Sequence, residues 1–130
     1  MSRYDVIIIG AGPGGIFAAY ELAKKAPELK VAVFEAGNSL EKRKCPIDGK
    51  KIKSCINCKT CAIMSGFGGA GAFSDGKYNI TNDFGGTLYE YIGKDTAIDL
   101  MKYVDEINLA YGGEGTKMYS TAGTDIKKLC

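Results

Sequence analysis

Hydrophobic positions are laid out in two different ways along this chain. Residues 6–9 are an unbroken β-branched run, Val6-Ile7-Ile8-Ile9, the pattern of a parallel strand buried on both faces. From Ile16 to Ala26, small and apolar residues recur at helical spacing (Ala19, Leu22, Ala23, Ala26), and Pro27 marks the stop. Val31, Val33 and Phe34 then predict a second strand that ends at Glu35. Two strands joined by a helical crossover must run parallel, and the crossover is right-handed. Residues 1–36 therefore predict one strand–helix–strand unit.

The periodicity stops at Gly37. Lysines, cysteines and glycines dominate from there to Gly86, so residues 37–86 predict a loop-rich insertion with at most short strands. A structureless stretch of that length inside a compact domain is normally functional. Helical spacing returns in residues 87–130. Thr87 to Ile92 predict a short helix, and Asp95 is placed to cap a longer one over Thr96 to Tyr111, with Gly112 as its stop. Lys117 to Thr121 predict a short strand. Thr124 then predicts the cap of a helix over Asp125 to Leu129. Two parallel strands are fewer than a doubly wound sheet requires. The expectation is an incomplete sheet, the N-terminal part of a longer protein, and marginal stability unless the remainder of its own chain or a partner completes it.

Composition narrows the classes. The 130 residues carry a net charge of +2, too little for general attraction to nucleic acid. Val6 to Ile9 is too short for a signal-peptide core or a membrane span, which points to a cytoplasmic protein. Five cysteines in such a compartment are expected as thiols or metal ligands rather than disulfides. Histidine is absent, which excludes from this chain a Ser-His-Asp triad, a histidine zinc site and any imidazole acid or base.

The chemistry starts at the turn after the first strand. Gly10-x-Gly12-x-x-Gly15 follows a strand and opens a helix, and its glycines have separate jobs. Gly10 permits the tight turn, Gly12 lets the backbone approach a pyrophosphate, and Gly15 lets helix and strand pack closely. Free amides at the helix start, with the helix dipole, attract phosphates. Twenty residues beyond Gly15, Glu35 ends the second strand, where its carboxylate can accept hydrogen bonds from both ribose hydroxyls of an adenosine. The same carboxylate would repel a 2′-phosphate, which disfavours an NADP adenosine at this turn. A glycine-rich structural turn is the plain alternative. The strand before the turn, the small Ala19, the alternating Val31 and Val33 and the terminal acid together favour binding of an ADP moiety.

Two further constellations lie in the insertion. Cys55-x-x-Cys58-x-x-Cys61, with Cys45 upstream, could converge on one metal or an iron–sulfur cluster. Four ligands would need Cys45, Cys130 or a residue beyond this chain, and zinc would need four cysteines because histidine is absent. Redox-active thiols and unliganded structural thiols are the alternatives. Lys42, Arg43, Lys44, Lys50, Lys51, Lys53 and Lys59 surround the triplet. Such positive potential favours thiolates, although a charge run is ordinarily a solvated surface. Gly66 to Lys77 is too glycine-rich for a helix or a packed strand. It is read either as a mobile linker or as backbone that can approach a flat ligand closely, and the embedded Phe67 and Phe73 favour the second. Ser74, Asp75 and Lys77 could then meet a flavin edge or a phosphate.

The opening "YDVIIIGAGPGGIFAAYELAK…VAVFEAG" resembles flavoproteins of the two-dinucleotide-binding-domain type. "CPIDGKKIKSCINCKTCAIMSGFGGAGAFSDGKYNIT", taken with "YVDEINLAYGG", is similar to an uncharacterised bacterial family of FAD-dependent dehydrogenases, over Tyr4 to Leu129. The resemblance implies an α/β fold. A Rossmann-like FAD/NAD(P)-binding βαβ unit would be followed by the insertion and helices, and later parts of the longer chain would complete the sheet. It implies that Gly10, Gly12, Gly15 and Glu35 hold FAD, with Pro13, Gly14 and Ala36 in the same set. Gly68, Gly69, Ser74, Asp75 and Lys77 would lie near the pyrophosphate or the ring. A small-molecule substrate or electron carrier is expected as partner, with NAD(P)H a candidate electron donor. A reading of a different class is a non-catalytic ADP-binding or cysteine–metal module.

Overall fold

The computed structural model describes residues 3–83 and 85–118. The chain divides into two compact units, Met1–Gly76 and Lys77–Cys130. In the first unit, strand β1 (Val6–Ile9), helix α1 (Pro13–Lys25) and strand β2 (Val31–Phe34) follow one another. The strands pair in parallel, with Val6 opposite Val31 and Ile9 opposite Phe34. Backbone bonds extend the pairing at both ends, from the Asp5 amide to the Lys30 carbonyl (2.9 Å) and from the Gly10 amide to the Phe34 carbonyl (2.7 Å). The fold is α/β with a small, open, two-stranded parallel sheet among the described residues.

Helix α1 starts three residues earlier than its apolar spacing indicates. Gly12 stands at the N-cap in extended geometry and Pro13 occupies the first helical position. Proline suits that place because its missing N–H would have no helical partner and its φ is already helical. At the other end the Ala26 amide still reaches the Leu22 carbonyl (2.8 Å) just before Pro27. Lys24 and Lys25 sit in the last turn, where cations complement the helix dipole.

The expectation that β1 is buried on both faces is corrected. Ile7 and Ile9 are 58% and 89% exposed, and Phe34 is also exposed. α1 covers one face of the ribbon, and nothing among the described residues covers the other. The core is correspondingly thin. Ala11 and Ala97 are the buried apolar residues among those described, and no large side chain is fully buried.

Residues 37–76 contain two isolated 3-10 turns, Leu40–Lys42 and Ala70–Phe73. In the second unit, α2 (Leu88–Ile92) and α3 (Lys94–Asn108) are separated by Gly93 alone. Gly93 at φ 83° ends α2 and caps α3, so the cap is not Asp95, which falls in the first turn of α3. A carboxylate there still favours the helix through its dipole. The chain leaves α3 through a wider turn, Leu109–Gly113, where Tyr111 and Gly112 are no longer helical. Lys117 and Met118 do not form a strand. Residues 119–121, and the helix expected over 125–129 with its cap at Thr124, lie outside the described residues. Among those described, no helix is long and apolar enough to cross a membrane.

Candidate nucleotide site

The site forms where β1 runs into α1. Gly10 takes φ 98°, a conformation that favours glycine, and so turns the chain sharply at the strand end. Gly15 lies over that turn, and a Cβ on it would overlap the Gly10 carbonyl oxygen and crowd Ile8. Gly12 is different: its φ of −78° suits any residue, and a Cβ there would meet only the Gly69 Cα, at 4.0 Å. The small Gly12 lets the Gly69 backbone come up to the turn, and the open position at the helix start is Gly14, where a Cβ would meet nothing within 4 Å. No side chain caps the α1 N-terminus, which leaves its first amides to an anion.

Glu35 closes the turn from the other side. Its Oε2 accepts the Ala11 amide (2.7 Å) and its Oε1 accepts the Gly37 amide (2.8 Å). These amide bonds, that from Ala11 foremost, hold the carboxyl below its usual 4.5 despite partial desolvation, with Arg43 adding a smaller lowering effect. The Gly66 backbone adds a further, weaker interaction, and of the carboxylate's roughly four acceptor positions one is left for a ribose hydroxyl.

The second glycine loop lies on the first. The Gly68 amide donates to the Ala11 carbonyl (2.8 Å). Gly69 sits so close to the turn that a Cβ on it would be 3.1 Å from the Gly12 Cα and 3.3 Å from the Pro13 Cδ. Gly66 packs against Asn38 and Arg43, at φ 125°. Of the residues expected near a pyrophosphate, Gly68 and Gly69 thus join Gly12 and Pro13. Ser74 and Asp75 lie exposed just beyond the 3-10 turn, and Ser74 Oγ accepts the Gly76 amide (3.2 Å). Lys77 belongs to the second unit.

Arg43 is the residue that sequence reading missed. It is 3% exposed, although it sits in a charge run read as solvated. Its Nε donates to the Ala62 carbonyl (2.8 Å) and its Nη2 to the Ile63 carbonyl (2.7 Å). Its Nη1 donates to the carbonyls of Phe67 (2.6 Å) and Gly69 (2.8 Å). The guanidinium also lies 4.7 Å from the centre of the Phe73 ring. A buried charge is costly unless its donors are used; here four carbonyl dipoles and an aromatic face surround it. Lysine lacks the planar fork that makes this possible. One signal was available: Arg43 interrupts a run of lysines, and the only other arginine is Arg3.

Cys45, Cys55, Cys58 and Cys61 are free and exposed. All four line one cavity of about 230 Å³, with Ile47 and Ile56 in its walls. As they stand, no three cysteine or acidic side chains among the described residues converge to hold a single metal ion. Cys130 lies outside the described residues.

Residues 1–41 match the Thi4 family. The match falls on the glycine turn and its acid. A thiamine thiazole synthase of Yarrowia lipolytica is 64% identical over 33 residues, which is 25% of this chain and 10% of that protein. The thiamine thiazole synthase of Phaeosphaeria nodorum aligns with the same identity and coverage. An uncharacterized protein of Clostridium beijerinckii is 39% identical over 71 residues, 55% of this chain and 13% of the relative. That segment is longer than the whole βαβ unit, so the likeness reaches into the insertion. The matched segments span only 10 to 13% of these relatives' lengths. No solved structure matches the chain significantly.

The residues present fit a dinucleotide. The open space at Gly14, the uncapped α1 amides and the carboxylate of Glu35 offer, in turn, room for a pyrophosphate, donors for it, and an acceptor for a ribose. Nothing in the set is a convincing acid or base for chemistry on a substrate.

Proposed function

We propose that this chain is the ADP-binding N-terminal portion of an FAD-dependent oxidoreductase of the dehydrogenase type. The observation that carries the reading is the uncapped start of α1, with open space at Gly14 and Glu35 held across the turn by the Ala11 amide. The Thi4 match over residues 1–41 supports it. Gly12, Gly14 and Gly15 would bind the pyrophosphate, and Glu35, with Ala36 beside it, the adenosine ribose. Gly68 and Gly69 would wall the pyrophosphate, and Ser74 and Asp75 of the same unit would lie near the pyrophosphate or the ring. When bound, the flavin supplies hydride or single-electron transfer. The chain's own part is to bind and orient it. NAD(P)H or another small carrier would be the electron donor, in the cytoplasm. A further segment of the same polypeptide would cover the exposed face of Ile7, Ile9 and Phe34.

Flavin content tests the reading. The purified protein, with whatever chain continues it, should be yellow, release FAD on heating, and bleach with dithionite. A colourless protein that takes up ADP but neither holds nor binds FAD would overturn the flavin part and leave a non-catalytic nucleotide module. One that binds neither would overturn both.

A further inference from the structure

We propose that Cys45, Cys55, Cys58 and Cys61 are the ligands of an iron–sulfur cluster seated in the cavity they line. Three observations point there. The first is convergence: a cysteine from before the triplet joins all three of its members around one space.

The second is the local backbone. Asn57 is the one non-glycine residue with positive φ among those described (53°), a conformation that carries strain and tends to persist where function requires it. That turn aims the Asn57 amide at the Cys55 sulfur, 3.4 Å away. An N–H donated to sulfur is one of the contacts that tune clusters.

The third is size. The sulfurs do not close on a single-ion position, yet they surround about 230 Å³, several times the roughly 30 Å³ that one water occupies in the liquid. A space of that size has room for a polynuclear group. Spacing agrees, since two-residue spacers between cysteines are those of cluster-binding runs.

Assembly takes ferrous and ferric iron with sulfide ions, so no further oxidant is needed, and each ligating thiol gives up one proton to solvent. Along the chain, Lys50, Lys51, Lys53 and Lys59 flank the triplet, charges opposite in sign to the resulting anionic centre. Arg43 places this centre next to the nucleotide turn. It grips the carbonyl of Ala62, directly after Cys61, and that of Gly69, which lies against Gly12.

The proposal is independent of the flavin, and its test reads different atoms. The protein is purified without oxygen, or reconstituted with ferrous and ferric iron and sulfide, and iron and acid-labile sulfide are counted per chain. Equal, stoichiometric iron and sulfide are expected, with an electron-spin signal after dithionite reduction. Cys58→Ser and Cys45→Ser should each lose most of both while Cys130→Ser keeps them. Circular dichroism and ADP binding serve as the check that the variants fold. Stoichiometric zinc without sulfide overturns the proposal, as does a protein that takes up no metal. Loss in Cys130→Ser with retention in Cys45→Ser overturns the ligand set.

Discussion

The two glycine loops of the first unit do similar work by different means. The turn Gly10–Gly15 contains what it needs: a positive-φ glycine, a glycine under the helix, and an acid one strand away that fastens the Ala11 amide. The loop around Gly66–Gly69 contains little of what holds it. Its carbonyls at Phe67 and Gly69 are fixed by Arg43, more than twenty residues upstream. Both loops lean on a side chain 24 residues away, Glu35 for Ala11 and Arg43 for Phe67, but Arg43 holds two carbonyls of its loop, so the second loop should depend more on its distant side chain than the first.

The largest effect that would sharpen this contrast is expected at Gly15. Gly15→Ala drives a methyl into the Gly10 carbonyl, and overpacking against backbone should cost about 3 kcal/mol or more. In so thin a core that is expected to abolish cooperative unfolding, read by circular dichroism on heating. A variant that melts like the wild type would mean the turn is looser than described.

Arg43→Lys comes next. It keeps the charge but loses the fork, leaving carbonyls of Ala62, Ile63, Phe67 and Gly69 without their donors. A loss of roughly 2 kcal/mol is expected. Proteolysis should then open the chain between residues 60 and 75 while β1, α1 and β2 stay protected. Equal protection of both loops would erase the contrast.

The smallest effect concerns Glu35. Its amide bonds hold its folded pKa below 4.5, so its contribution is present above 4.5 and is lost as pH falls through the folded value. Glu35→Gln should therefore melt earlier than the wild type at neutral pH, and the gap should narrow as pH drops below about 4.5. Glu41 and Asp48 are lowered too, but they titrate equally in both proteins and cancel in the difference. A gap that widens in acid would contradict the assignment.

This contrast also explains what was legible in the sequence. The βαβ unit was, because its signals are local: a β-branched run, helical spacing closed by Pro27, glycines at fixed offsets and a terminal acid. The α1 start was misjudged because Gly12 and Pro13 carry no apolar periodicity, although proline at the first helical position is a cap signal in itself. The exposed face of β1 was not legible, since a strand's own residues do not say what covers them. Gly93 took the cap from Asp95 because two helices meet there with no room for a longer loop. Arg43 went unread because four carbonyls brought together by folding have no pattern along the chain. The cysteine cavity was half visible: spacing suggested convergence of the triplet, and the fold supplied Cys45.

The central claim is that the α1 N-terminus with Glu35 binds an ADP moiety, and titration of the protein with ADP, by calorimetry, tests it most directly when wild type is set beside Gly12→Ala. The added methyl comes to ordinary contact with Gly69 and loses the N-cap preference for glycine over alanine, so stability should fall by about 1 kcal/mol or less. It also wedges between the two glycine loops at the start of α1, and ADP affinity should fall about tenfold or more, roughly 1.4 kcal/mol. Equal affinities in two folded proteins, or no ADP binding by either, would contradict the account.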